Sequence, residues 1–253
     1  MSAPSLYVLE YHLANYRRTW RSSALSTLVM PLLTMLGFGV VVGGYVAGGV
    51  DGVPYLDWIV PGLIASTAVQ AAIGESTWPV MSGFEWVRSY FAQAAAPLRV
   101  GDILAGHLAF MMFRVLVSAT SFLAIAALFG AVHSGWAPLA LVVAVLAGLA
   151  VAAPTVAYSA SITSEGYLAV LMRFAVLPMS LFSGVFFPVE SLPVVLRGVA
   201  YALPLWHAVD LSRDATLGSA PGWPGLWHVV YLLAWCVAGW LIAVRRYRRK
   251  LVF

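Results

Sequence analysis

The sequence predicts an all-α polytopic membrane protein with six transmembrane helices. Three observations predict it. Long stretches carry no acidic or basic residue: 22–50, 58–74, 115–164, 174–189 and 215–244. The composition is 62% hydrophobic and 9% charged, where a soluble domain carries about 25% charged residues. The charges that remain fall in short clusters between the apolar stretches. A helix needs about 20 apolar residues to cross the hydrocarbon core, so 253 residues of this kind leave little chain for a separate soluble domain.

In order, the spans read as 23–46, 58–80, 108–131, 137–160, 168–187 and 226–244. The uncharged stretch 115–164 is too long for one crossing, and Gly135 and Pro138 mark its turn. Ahead of the first span, Leu6, Leu9, Leu13, Tyr16 and Trp20 recur at near-helical spacing against Glu10, Asn15, Arg17 and Arg18. Residues 1–22 therefore read as an amphipathic helix in the membrane interface. They hold no apolar core ahead of a small-residue cleavage site, so no signal peptide is expected. Residues 245–253 form a basic tail. Cys236 lies in an apolar run and reads as a small hydrophobic filler.

Six spans place both termini on one side, and basic residues say which. Arg17, Arg18, Arg21, Arg88, Arg99, Arg173, Arg245, Arg246, Arg248, Arg249 and Lys250 fall on the terminal side. The opposite side has Arg197 and Arg213, with Asp51 and Asp57 in its first loop. The positive-inside rule makes the terminal side cytoplasmic. The net charge of +4 is spent on topology, so no nucleic-acid partner is implied.

Several chemistries are absent. Lys250 is the only lysine and Leu251 follows it, so no G-x-x-x-x-G-K-[ST] loop exists and ATP is not hydrolysed here by that device. His12, His107, His133, His207 and His228 are scattered, with no metal-ligand spacing and no G-x-S-x-G nucleophile motif. No catalytic, metal or cofactor site is expected on this chain. The ionisable residues inside spans are Glu75 and Arg114, with Arg173 near a span end. Each of the first two either faces a translocation path, pairs with the other, or snorkels to the interface.

Two segments carry a signal. On the inner side, 82–102 presents Glu85, Trp86, Arg88, Tyr90, Phe91, Pro97, Arg99 and Asp102, an aromatic and charged pattern suited to docking on a cytoplasmic partner. On the outer side, 188–213 holds two short amphipathic pieces divided by Pro204, too short to cross and suited to re-entrant or interfacial helices. Phe182, Phe186, Phe187, Tyr201 and Trp206 cluster there as candidate gate residues or as interface-belt aromatics.

The pattern F-S-G-x-F-F-P…L-P…Y-x-L-P-L-x-H-A-V-D-x-x-R in 182–213 resembles the permeases of type-2 ABC exporters, in particular those for nodulation factors, daunorubicin-like drugs and surface polysaccharides. The segment A-x-A-P-L-R-V-x-D-I-L-x-G-H in 94–107 resembles that family's coupling region. The resemblance covers nearly the whole chain. It implies a bacterial inner-membrane protein that works as a homodimer or heterodimer with a second permease copy. Each copy would meet a separate ATP-binding subunit, which holds ATP and Mg. It assigns 82–102 as the coupling helix, helped by 5–21 and 162–166. It places the dimer seam at spans one and five, near Gly37, Gly39, Gly43, Gly44 and Gly48, although Gly39-x-x-x-Gly43 serves equally for packing within one subunit. The expected cargo is an amphiphilic drug, lipid or glycolipid. The alternatives are a polyprenyl-linked surface polysaccharide and, behind it, an ATP-independent carrier or channel.

Overall fold

A hydrocarbon solvent offers no partner for backbone N–H and C=O groups, so each crossing segment must satisfy them internally as helix. The computed structural model describes residues 3–46, 48–50, 52–218 and 224–252. Among them the only pairing outside helices is one bridge between Val50 and Val53. Asp51 lies outside the described residues. The helices are α1 (Ala3–Thr34), which continues as a π-helical segment Met35–Val42, then α2 (Tyr55–Ser76), α3 (Trp78–Glu85), α4 (Ser89–Ala94), α5 (Val100–Leu128) and α6 (Leu139–Ser159). They are followed by α7 (Glu165–Leu171) and α8 (Leu177–Phe182), joined by a π segment Met172–Val176, and by α9 (Val194–Tyr201), α10 (Pro204–Leu217) and α11 (Gly225–Leu251).

Five stretches are long and apolar enough to cross a bilayer: Tyr55–Glu85, Val100–Leu128, Leu139–Ser159, Glu165–Phe182 and Gly225–Leu251. Together α9 and α10 meet the same standard but are bent at 79°. Among the described residues the region of the expected first span supplies a shorter apolar piece, Thr27–Gly39. It belongs to a helix that runs through positions 22 and 23 without a break, so the interfacial piece 1–22 is not a separate element. Nothing interrupts it, because no Gly or Pro occurs between Pro4 and Pro31. The basic tail differs too: α11 absorbs it as far as Leu251, where Arg248, Arg249 and Lys250 complement the helix's negative end.

In lipid no hydrophobic force draws one helix to another, so small residues that let backbones approach decide which helices pack. Ala140, Ala144, Ala147 and Val151 line one buried face of α6, and Val115, Ala119, Phe122 and Ala126 one of α5. Between them α2 is the central helix, touching α5, α6 and α10. On α5, Gly106 admits α1: a Cβ there would lie 2.5 Å from Val8 Cβ and 2.6 Å from the Ser5 carbonyl oxygen.

Two of the glycines placed at the dimer seam, Gly39 and Gly43, serve contacts inside the chain. A Cβ at Gly39 would meet Leu56 of α2 at 2.4 Å, and Tyr55 Cδ1 lies 3.6 Å from one at Gly43. The Gly43 N–H reaches the Phe38 carbonyl at 3.1 Å, a five-residue step that gives the segment its π character.

Candidate functional site

The end of the bundle that carries most of the basic residues is organised by side chains far apart in sequence. There α1, α3, α4 and α5 enclose a polar cavity of about 320 Å³, lined by His12, Tyr16, Glu75, Tyr90, His107 and Arg114 among others. Glu75 enters from the last turn of α2 and Arg114 from the middle of α5. The Arg114 Nε–H donates to Glu75 Oε1 at 3.0 Å, and the guanidinium sits 4.8 Å over the Tyr16 ring. The two intramembrane charges thus neutralise each other, as charges at membrane depth must unless they reach water.

His12 and His107 stack at 4.2 Å with nearly parallel rings. Burial holds the His12 imidazole down at about 4, so it is neutral at physiological pH. A 2.6 Å hydrogen bond joins His107 Nδ1 to the Tyr90 hydroxyl. Burial raises the Tyr90 phenol further above its already high ordinary value, so it keeps its proton. The Tyr90 ring lies against α3 because Gly83 has no side chain; a Cβ there would meet it at 2.4 Å.

The expected coupling residues divide into two groups. Trp86 (54% exposed), Arg88, Pro97 and Arg99 are on the surface, joined by Val87 at 68%. The others hold the segment in place. Tyr90 is 1% exposed and packs against Phe84 and Tyr247, and Phe91 is half-buried beside Phe84. Glu85 Oε1 accepts from Lys250 Nζ at 2.6 Å, tying α3 to α11. Asp102 accepts the Arg99 backbone N–H at 3.2 Å and so starts α5. Arg88 takes the left-handed backbone conformation (φ 56°) that turns the chain from α3 into α4.

Further along the same helices, α1, α2 and α5 border a second cavity of about 400 Å³ lined by Thr34, Phe38, Ser66, Gln70, Ser118 and Phe186. Its polar groups are neutral hydroxyls and an amide. Phe186 and Phe38 meet across it at 5.1 Å between ring centres. Of the five expected gate aromatics, Phe186 lines this cavity. Tyr201 and Trp206 instead pack on each other at 4.6 Å in the corner between α9 and α10. Phe182 ends α8 and Phe187 follows it, both half-buried and outside this cavity. Sequence reasoning missed Gln70, a lone amide within the uncharged stretch 58–74, which was a visible signal. It also missed Phe38 and the His12–His107 stack, which became apparent only from the packing.

The L-x-H-A-V-D-x-x-R pattern has a structural explanation. His207, Asp210 and Arg213 recur every three residues along α10 and fasten it to three neighbours. His207 Nε2 meets the Tyr201 carbonyl at 3.0 Å, and its Nδ1 lies 2.9 Å from His228 Nδ1 on α11. Asp210 Oδ2 lies 3.2 Å from His228 Nε2. Arg213 donates to the Gly184 carbonyl and stands 3.9 Å over the Trp58 ring of α2.

Known proteins resemble this chain along almost its full length. The family model for the ABC-2 type transporter matches residues 6–217. Nodulation protein J of Rhizobium leguminosarum bv. viciae is 32% identical over 249 residues, 95% of either chain. Nodulation protein J of Rhizobium meliloti strain 1021 is 30% identical over 239 residues, covering 94% of this chain and 90% of the relative. The inner membrane transport permease YadH of Escherichia coli K12 is 26% identical over 219 residues, covering 85% and 82%. With its apolar helices and its α10 fastenings, the chain belongs to the ABC-2 type transporter family, as one of its membrane permeases.

Proposed function

We propose that this chain is the membrane-spanning subunit of an ATP-driven exporter that moves an amphiphilic drug, lipid or glycolipid outward across a bacterial inner membrane. A second permease copy and separate ATP-binding subunits complete the machine. Residues 23–46 make the first crossing, α9 and α10 form a re-entrant pair on the outer side, and both termini face the cytoplasm, as the distribution of arginines favours.

The observation that carries the reading is the surface Trp86–Val87–Arg88, exposed at the basic end and braced from behind. Through Tyr90–His107 and Glu85–Lys250 it is fixed to α5 and α11. A push there by an ATP-binding subunit moves α5, which borders both cavities. The push does work because cargo binds the two arrangements with different affinity. The neutral hydroxyls and phenyl rings of the second cavity suit an amphiphile, with polar groups for one part and aromatic faces for the other.

The test is co-purification. The tagged chain is extracted in mild detergent and assayed for an accompanying ATP-hydrolysing subunit, alongside a Trp86→Asp/Val87→Asp variant. The expected result is an ATPase that accompanies the parent chain and is lost from the variant. A chain that purifies alone and moves solute into liposomes without ATP overturns the proposal.

A further inference from the structure

Two cavities reach α11, one beside α6 and one beside the turn that follows it, and the transport reading uses neither. The upper is apolar, about 390 Å³, and lies mainly between α6, with Pro154 and Tyr158, and the α7–α8 stretch, with Phe174, while α11 contributes Trp235 at its border. The lower, about 220 Å³, lies at the basic end and is lined by Ser161, Thr163, Arg246, Arg249 and Lys250, with Ala160 behind them.

Helical geometry puts them on the same side. Arg246 follows Trp235 by eleven residues, which returns it to within about 20° of the same face and about 16 Å further along α11. Ile242 lies on that face between them and is exposed. On α6, Tyr158 is four residues past Pro154, and Ser161 follows in the turn after the helix, its N–H donating to the Tyr158 carbonyl at 2.8 Å, so the two linings adjoin.

The lower cavity carries uncompensated positive charge. Lys250 is already engaged, by Glu85 and by the Ala160 carbonyl at 3.1 Å. Arg246 and Arg249 have no carboxylate within ion-pair reach among the described residues. The Ser161 hydroxyl gives its proton to the Ala157 carbonyl at 2.7 Å and keeps its lone pairs for a guanidinium N–H. Two guanidiniums beside a hydroxyl are suited to a phosphate oxygen pair.

We propose that the face of α11 carrying Trp235, Ile242 and Arg246 binds one anionic phospholipid beside α6. Arg246 and Arg249 hold its phosphate, and an acyl chain runs past Ile242 into the apolar cavity. The aligned apolar cavity is what favours a lipid over a free phosphate. The site goes beyond the transport function and needs no ATPase. Arg245 and Arg248 project from other faces of the same helix and take no part.

The test uses the full-length protein, delipidated in mild detergent. Thermal unfolding and native mass spectrometry follow added dioleoyl phosphatidylglycerol, dihexanoyl phosphatidylglycerol, dioleoyl phosphatidylcholine or inorganic phosphate. Two variants of equal charge are compared, Arg246→Gln/Arg249→Gln and Arg245→Gln/Arg248→Gln. The expected result is one retained phosphatidylglycerol, with affinity falling roughly tenfold or more in the first variant and little in the second. The dioleoyl lipid should bind more tightly than the dihexanoyl. Equal loss in both variants reduces the site to general attraction by the tail and overturns the proposal. Equal binding of phosphatidylcholine, or full stabilisation by inorganic phosphate alone, overturns it as well.

Discussion

Helix α10 and the α7–α8 stretch lie close in sequence and have opposite fates. The first carries His207, Asp210, Arg213 and Asp214, yet nine of its 14 residues are buried. The second is far more apolar, yet only 11% of its most apolar window is buried, against 72% for Tyr55–Glu85. Phe174, Leu177 and Val170 on it are exposed. In a bilayer, an apolar side chain is equally at home against lipid or protein, so apolarity says little about burial. A polar group has nowhere to go but inward or to an interface, and there it must find a partner. The charged helix is therefore the one that the fold pins down.

The strongest way to break this contrast is at Arg213. Arg213→Ala removes the hydrogen bond to Gly184 and the contact with Trp58, and should cost about 3 kcal/mol. Arg213→Lys should restore less than half, since a planar guanidinium serves both partners. Thermal unfolding of detergent-purified protein measures both. Next comes Glu75→Gln, which leaves Arg114 unpaired and should cost about 2 kcal/mol. Adding Arg114→Met should recover most of it, because the pair's main effect is to cancel a cost that each charge alone creates. No recovery in the double variant would mean that the two side chains have separate partners.

A third prediction concerns acid. The folded His12 value of about 4 lies below its ordinary 6.5 because burial disfavours the imidazolium. The unfolded chain takes up that proton first, so stability is lost as pH falls from about 6.5 through about 4. His12→Phe should flatten that part of the profile, with unfolding temperature measured at several pH values. The smallest effect belongs to the exposed helix. Phe174→Ala should change stability by less than about 0.5 kcal/mol. A loss there as large as that for Arg213→Ala would erase the contrast between the two regions.

How much of this was legible in the sequence follows the same logic. The uncharged stretches gave α2, α5, α6, the α7–α8 stretch and α11 nearly at their observed positions, because lipid imposes length and apolarity directly. The start of α5 at Val100, eight residues ahead of the expected span, was not read, although Asp102 accepts the Arg99 N–H there, a local effect. The ties between distant positions were not legible. Glu85 and Lys250 are 165 residues apart, and nothing in either neighbourhood names the other. Tyr90 looked like docking surface because an aromatic in a polar loop reads the same whether it faces out or in. The boundary drawn between residues 1–22 and the first span rested on a change in composition, and a helix does not stop where composition changes unless a residue stops it.

The ammonium of Lys250 has a practical consequence. It is the only lysine side chain in 253 residues, and it sits at the junction of α3, α6 and α11. A reagent that acylates primary amines therefore has a single side-chain target in the whole chain. While the clamp holds, the amine is bonded to Glu85 and to the Ala160 carbonyl and is slow to react. When α3 swings away from α11 it is released and reacts faster. The labelling rate at one native atom thus reports how often the junction opens, with no cysteine to engineer and no probe to attach beforehand.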